Sequence, residues 1–131
     1  MKIGVIGAGS LGFHHIRILR DMESAALAGF VEARDTRASE VASELGVKRY
    51  ADEASLLADV DAVTIVVPTP AHYSVAKAAL EAGKHVFIEK PITATLEQAE
   101  ELLHIAGKNG CLVQIGHVER FNRAVRAALP Y

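Results

Sequence analysis

Lys2-Ile3-Gly4-Val5-Ile6-Gly7-Ala8-Gly9-Ser10-Leu11-Gly12 is the stretch whose reading decides the fold. A short apolar run meets glycines at positions 7, 9 and 12, and Ser10 opens a segment with helical spacing. Each glycine has a task in such a turn. Gly7 permits the tight bend, Gly9 lets backbone approach a pyrophosphate with no Cβ in the way, and Gly12 lets helix and strand pack closely. The free amides of Ser10 and Leu11, with the helix dipole behind them, make an anion site. Glycine-rich turns also arise for geometric reasons alone, so context decides. Here the motif joins a strand to a helix, and Glu32 closes the second apolar run about 20 residues beyond Gly12, where a carboxylate accepts from both ribose hydroxyls of a dinucleotide.

Outward from that turn, short apolar runs alternate with helical stretches, the pattern of βα units around a parallel sheet covered on both faces. Six runs are expected as strands: Lys2 to Ile6, Leu27 to Ala33, a weak one at Val47 to Tyr50, Ala62 to Val67, His85 to Glu89, and Leu112 to Ile115. Val63 to Val67 and Val86 to Ile88 are nearly continuous β-branched or aromatic stretches, as central strands should be. Helices are expected from Ser10, from Asp35 or Thr36 to Gly46, and from Pro70 to Gly83. Thr95-Leu96-Glu97-Gln98 reads as a capping box opening a helix closed by Gly110, with Leu96, Ala99, Leu102, Leu103 and Ala106 as its sheet-facing stripe. The alternation predicts an α/β Rossmann fold, a doubly wound parallel sheet of six strands in the order 3-2-1-4-5-6.

Composition bounds the rest. The chain has 131 residues, 50% hydrophobic and 23% charged, with a net charge of −2, which is enough for one core without a disulfide or structural metal. Cys111 is the only cysteine, so an intrachain disulfide is impossible and the cytoplasm is the expected compartment. No run approaches the ~20 apolar residues of a membrane span, and the N-terminal run is broken by Gly7 to Gly12 before it reaches the length of a signal-peptide core. Lys and Arg are scattered, leaving no electrostatic footprint for nucleic acid. A small molecule is the expected ligand.

In an open α/β sheet the ligand lies beyond the carboxyl ends of the strands, at the switch between the first and fourth. Glu32 favours NAD, because a carboxylate repels the 2′-phosphate of NADP. Arg34 and Arg37 leave NADP open, since either guanidinium can cover a 2′-phosphate or simply stand in solvent at the start of the second helix. After Val67, the loop Pro68-Thr69-Pro70-Ala71-His72 can bring Pro68, Thr69 and His72 near a nicotinamide. After Ile88 come Glu89, Lys90 and Pro91. Two charges at the end of a buried strand are either a structural ion pair or part of a site. A lysine in a cleft can serve as general acid or base, and the isomer of the Lys90-Pro91 bond is not readable from sequence. Gly116-His117-Val118-Glu119-Arg120 follows the last strand as an acid-base group, a helix start or a metal cluster, the last least supported because no second His or carboxylate pair falls at ligand spacing. His14 and His15 read as packing or surface residues.

Together these residues resemble a known family. Gly7 to Gly12 with His15 along the helix, Pro68-x-x-x-His72, Ala82-Gly83-Lys84-His85-Val86 leading into Glu89-Lys90-Pro91, and Arg120-Phe121 are similar to the nucleotide-binding domain of the glucose-fructose oxidoreductase, inositol dehydrogenase and rhizopine catabolism (Gfo/Idh/MocA) oxidoreductases. The resemblance implies a Rossmann domain for NAD or NADP and hydride exchange at a sugar or cyclitol carbon. It implies that Lys90 stands beside the nicotinamide and the reacting hydroxyl as the catalytic residue, with Glu89 helping to hold it. The cofactor-binding residues expected from motif and resemblance together are Gly7, Gly9, Ser10, Leu11, Gly12, Glu32, Arg34, Pro68, Thr69, His72, Glu89, Lys90 and His117, and no metal site is expected. Two positions depart from the family pattern: Val67 where Ser or Thr is common, and Arg123 where Pro is frequent. The form Gly116 to Asn122 looks most like members acting on UDP-N-acetylglucosamine or related nucleotide sugars.

The resemblance further implies a second α+β domain carrying the substrate wall and the contacts of a homo-oligomer. Residues 1–120 are expected as the dinucleotide-binding domain and 121–131 as the start of the crossover to that domain, which this chain lacks. On that expectation the chain alone is an inactive cofactor-binding part. Two other classes stand beside it: a free-standing NAD-binding or redox-sensing module, and a methyltransferase, against which the Glu89-Lys90-Pro91 step argues.

Overall fold

The computed structural model describes residues 1–128. Strand β1 (Lys2–Ile6) leads through the glycine turn into helix α1 (Ser10–Arg20). There follow β2 (Ala26–Val31), α2 (Asp35–Leu45), the short α3 (Glu53–Leu57), β3 (Ala62–Ile65), α4 (Thr69–Glu81), β4 (His85–Ile88), α5 (Leu96–Asn109) and β5 (Val113–Ile115). A 3₁₀ turn (Val118–Phe121) and α6 (Arg123–Ala128) close the described part, so Leu129 to Tyr131 of the expected crossover lie outside it.

All strands are parallel, in the order β2-β1-β3-β4-β5. The sheet therefore has five strands, where six were expected. The weak run Val47 to Tyr50 makes a single bridge, Arg49 against Phe30 on the outer side of β2. That is the place the expected order gives to the third run, so the order survives and the strand does not. Its hydrogen bonds are Phe30 N to Lys48 O at 3.0 Å and Tyr50 N to Phe30 O at 2.8 Å. Pairing stops there because Asp52 is already the N-cap of α3, its carboxylate accepting from Ser55 N at 2.7 Å.

Alternation along each strand splits the core between the two faces. Val5 and Phe30 pack with Ile16 of α1 and with Ala38, Val41 and Leu45 of α2. Ile6, Val63, Ile65, Val86 and Ile88 pack on the other face with Leu56 of α3, Leu80 of α4 and Leu102 of α5. The expected helix ends are present at Gly46 and Gly110, both left-handed at φ +63° and +65°. Thr95 Oγ1 accepts from Gln98 N at 3.4 Å, while the return bond from the Gln98 side chain is absent among the described residues. The expected stripe on α5 is narrower than read: Ala99, Leu102 and Ala106 are buried, but Leu96 and Leu103 are 70% and 56% exposed. The buried residues of that helix follow an i, i+3, i+7 line, with Ile105 half-buried beside it, and pack into the core shared with α4. No helix among the described residues is long and apolar enough to cross a membrane.

Candidate functional site

The carboxyl ends of β1, β2, β3 and β4 border one cleft of about 740 Å³. Two helices open onto it. Helix α1 begins after Gly9 and α4 after Pro68, and neither start carries a side-chain cap. At α1 the first amide protons thus face the cleft with no partner from the chain's own side chains, the condition that suits an anion, whereas in α4 Pro70 has no N–H and Ala71 N donates to Pro68 O at 2.9 Å.

The three glycines of the turn divide by what a Cβ would meet. At Gly7, with φ +96°, it would lie 2.5 Å from the Val66 carbonyl oxygen, and at Gly12 it would lie 2.0 Å from the Gly7 carbonyl oxygen. Both positions are glycine because the fold demands it. At Gly9 the nearest atom is the Arg34 guanidinium at 3.9 Å, so nothing in the protein needs that space. The open ground above Gly9, beside the uncapped start of α1, is a cradle that a side chain would fill and a pyrophosphate fits.

Glu32 follows β2 at the edge of the cleft. Its Oε2 accepts from Ala8 N at 2.9 Å, and its Oε1 accepts from Arg34 N at 3.1 Å and Arg34 Nε at 2.9 Å. Burial by itself would raise this carboxyl. The hydrogen bonds from the Arg34 side chain, the Ala8 amide and the Arg34 amide outweigh it and hold the group below its ordinary range, hence ionised at neutral pH. Of the two arginines expected near a 2′-phosphate, Arg37 is committed elsewhere. Its Nε donates to Ala8 O at 2.9 Å, bracing the glycine turn from behind. Arg34 is two-thirds exposed and borders the cleft.

At the far wall the turn after β4 brings Glu89 and Lys90 to the cleft through a cis Lys90-Pro91 peptide. The two charges are not an ion pair. Glu89 is 7% exposed, with Oε2 accepting from Lys90 N at 3.2 Å and Oε1 lying 3.4 Å from His15 Nε2. The Lys90 side chain is exposed and bonds to nothing among the described residues. Pro68 and Thr69 border the cleft as expected. His72 reaches its floor but is only 2% exposed, and both ring nitrogens are occupied: Nδ1 lies 2.8 Å from the Pro91 carbonyl oxygen and Nε2 2.9 Å from that of Val67. It offers no free nitrogen to a nicotinamide.

Gly7, Gly9, Ser10, Leu11, Glu32, Arg34, Pro68, Thr69, Glu89 and Lys90 thus come together around one space. Gly12 lies beneath the turn. His117 is exposed and does not border the cleft, because β5 ends after three residues and the chain turns out into the 3₁₀ segment. No group of three or more His, Cys, Asp or Glu among the described residues can hold a metal ion. Sequence reasoning missed the roles of Arg37 and His15. For His15 a signal existed: it lies three residues beyond Gly12, on the same helical face.

Comparison with known proteins agrees with this geometry. Residues 1–117 match the model of the Gfo/Idh/MocA oxidoreductases, described as an oxidoreductase family with an NAD-binding Rossmann fold. UDP-N-acetylglucosamine 3-dehydrogenase of Acidithiobacillus ferrooxidans is 40% identical over 126 residues, 96% of this chain and 40% of the relative. A solved structure of that enzyme superposes with a TM-score of 0.90, 39% identity, 99% of this chain and 41% of that one. The scyllo-inositol 2-dehydrogenase (NAD(+)) of Bacillus subtilis is 33% identical over 95% of this chain and 37% of its own. Biliverdin reductase of Synechocystis, solved with biliverdin and NADP+, superposes at 0.89 with 26% identity, over 98% of this chain and 42% of that one. The chain spans about 40% of the length of the curated relatives it matches.

Proposed function

The chain belongs to the Gfo/Idh/MocA oxidoreductases with their NAD-binding Rossmann fold, and from that premise we propose that it is the cofactor-binding part of a dehydrogenase acting on a secondary alcohol of a sugar, a cyclitol or a nucleotide sugar. The observation that carries the reading is Gly9, the one glycine of the turn that the protein itself does not require, placed between an uncapped helix start and the ionised Glu32. A nicotinamide dinucleotide, when bound, supplies a hydride acceptor or donor. The amides of Ser10 and Leu11 bind the pyrophosphate, and Glu32 accepts from the ribose hydroxyls. Its charge favours NAD, with Arg34 the group through which NADP could be admitted.

Oxidation of an alcohol requires removal of the hydroxyl proton, so an acid-base group must stand within hydrogen-bond reach of that oxygen. Lys90 is the side chain of the far wall that is free to do this: His72 is occupied on both nitrogens, and Glu89 is buried. Lys90 would thus take the proton at Nζ as the neutral amine in oxidation and return it as the ammonium in reduction. The nucleotide-sugar branch is supported by the 40% identity with the Acidithiobacillus enzyme. Residues 121–131 are proposed as the start of the crossover to a substrate domain, a reading that fits Phe121, which is 78% exposed. The assembly is proposed to be a homo-oligomer through that second domain. The unpaired Cys111 fits a reducing compartment, and the cytoplasm is the proposed location.

Calorimetric titration tests the cofactor reading. NADH should bind the chain and S-adenosylmethionine should not, and binding of S-adenosylmethionine in place of NADH would overturn it.

A further inference from the structure

Lys90 has no contact of its own to fix it. Its amine is exposed and unbonded among the described residues, and Pro91 has no N–H to give. Backbone anchors in this turn are few: Glu89 N donates to Ile65 O at 3.1 Å, and Lys90 N donates to its neighbour's carboxylate. Where the lysine stands therefore depends on what holds the Glu89 carboxylate on one side and the Pro91 carbonyl on the other.

A histidine meets each of them. From α1, His15 brings Nε2 to 3.4 Å of Glu89 Oε1, with its ring tilted against Phe87 of β4 at 5.8 Å between centroids. Gly116 also closes in on this carboxylate: a Cβ there would lie 2.7 Å from Glu89 Oε1. From α4, the buried His72 spans the carbonyl oxygens of Pro91 and Val67. Both partners only accept. A neutral ring donates to one of them, and an apolar side chain of the same volume would donate to neither. Val67 and Pro91 belong to the turns after β3 and β4, so the ring is lodged between two walls of the cleft and bonds to one of them.

We propose that His15 and His72 are positioning residues: from the two helices that open on the cofactor cleft, they clamp the Glu89-Lys90-Pro91 turn at both ends and so set where the Lys90 amine stands. The proposal rests on the reading of Lys90 as the proton-transfer group. It gives α1 a second task, since the helix whose first turn faces the pyrophosphate also touches, one turn later, the carboxylate beside the lysine.

Amide hydrogen exchange in the ligand-free chain tests the clamp without any cofactor. In His72→Phe and His15→Phe the Lys90 amide should exchange about tenfold faster relative to the sheet amides of Val63 and Ile65, which report global opening. His72→Gln, whose carboxamide can still donate to one carbonyl, should stay within about twofold of wild type. Lys90 exchange that keeps step with the sheet in both Phe variants would overturn the proposal. If those variants do not fold, Gly116→Ala displaces Glu89 by a Cβ set against its carboxylate. It should free the same amide, and unchanged exchange there would overturn the clamp equally. A second readout separates this idea from the one beneath it. Bound NADH should shield Lys90 from acetylation by acetic anhydride in the wild type, and that shielding should weaken in the histidine variants while NADH affinity stays within about threefold. Absence of shielding in the wild type would sink the placement of Lys90 at the cofactor, and the exchange result would still decide the clamp.

Discussion

After β1 the chain meets the cleft with backbone: two required glycines, one optional glycine, and the amides of an uncapped helix. After β4 it meets the same cleft with side chains, a buried carboxylate and an exposed lysine amine whose placement runs through histidines from elsewhere in the fold. Backbone recognition is written locally, in consecutive residues. Side-chain placement is written across the fold, in residues 15, 72, 89 and 116. A single substitution should therefore act on the first turn through space and shape, and on the second through chemistry.

The sharpest way to divide the two is Lys90→Met in the longer protein to which this chain is proposed to belong. General acid-base catalysis typically contributes ~10²- to 10⁴-fold, so turnover should fall by about that factor while cofactor affinity changes little. Steady-state kinetics with a matched NADH titration reads both, and near-normal turnover with weak NADH binding would make Lys90 an anchor instead. Next in size is Gly12→Ala, whose Cβ would stand 2.0 Å from a backbone oxygen that cannot yield cheaply. A loss of about 3 kcal/mol in urea unfolding is expected, at the upper end for overpacking. An unaltered midpoint would show the turn to be more yielding than its geometry.

Gly9→Val should do the reverse, with unfolding unchanged and NADH affinity reduced about 100-fold, or ~2.7 kcal/mol by calorimetry. A variant that binds normally would remove the backbone half of the comparison. The smallest effect is expected at Glu32→Gln, which should narrow the preference for NAD over NADP by about tenfold. This variant also has a pH signature. Glu32 is held below the ordinary glutamate value of 4.5, so its contribution to stability is present above that value and is lost as the pH falls through the folded one. Wild type should therefore lose stability on acidification below about pH 4.5 more steeply than Glu32→Gln, as followed by unfolding at several pH values.

The same division explains what could be read from the sequence. The glycine turn, Glu32, the strand order and the cap at Thr95 are legible because each is set by a few adjacent residues or by a periodicity. The weak run at Val47 to Tyr50 was not, because Asp52 ends its pairing by starting a helix, a competition that apolar pattern alone does not show. Leu96 and Leu103 share the apolar spacing of the buried face of α5, but the core covers only a narrower line of it. His72 has the right position in the chain to approach a nicotinamide, but its two nitrogens are taken by carbonyls of Val67 and Pro91 that only the folded chain brings together. His15 and Gly116 gained meaning from a carboxylate more than 20 residues distant in sequence from either.

The bonds to Glu32 have a thermodynamic consequence for ligand arrival. This carboxylate is held out of water, ionised, and aligned by the Ala8 and Arg34 amides of the fold itself. Its dehydration took place when the chain folded. On the proposed reading, a ribose docking there would exchange one donor, the exposed Arg34 side chain, for its own hydroxyls, and the guanidinium would return to solvent. Association at this corner is therefore a substitution of partners on a fixed acceptor. Its heat should be small, and the swing of an exposed arginine, a picosecond-to-nanosecond event, should leave its rate to diffusional encounter.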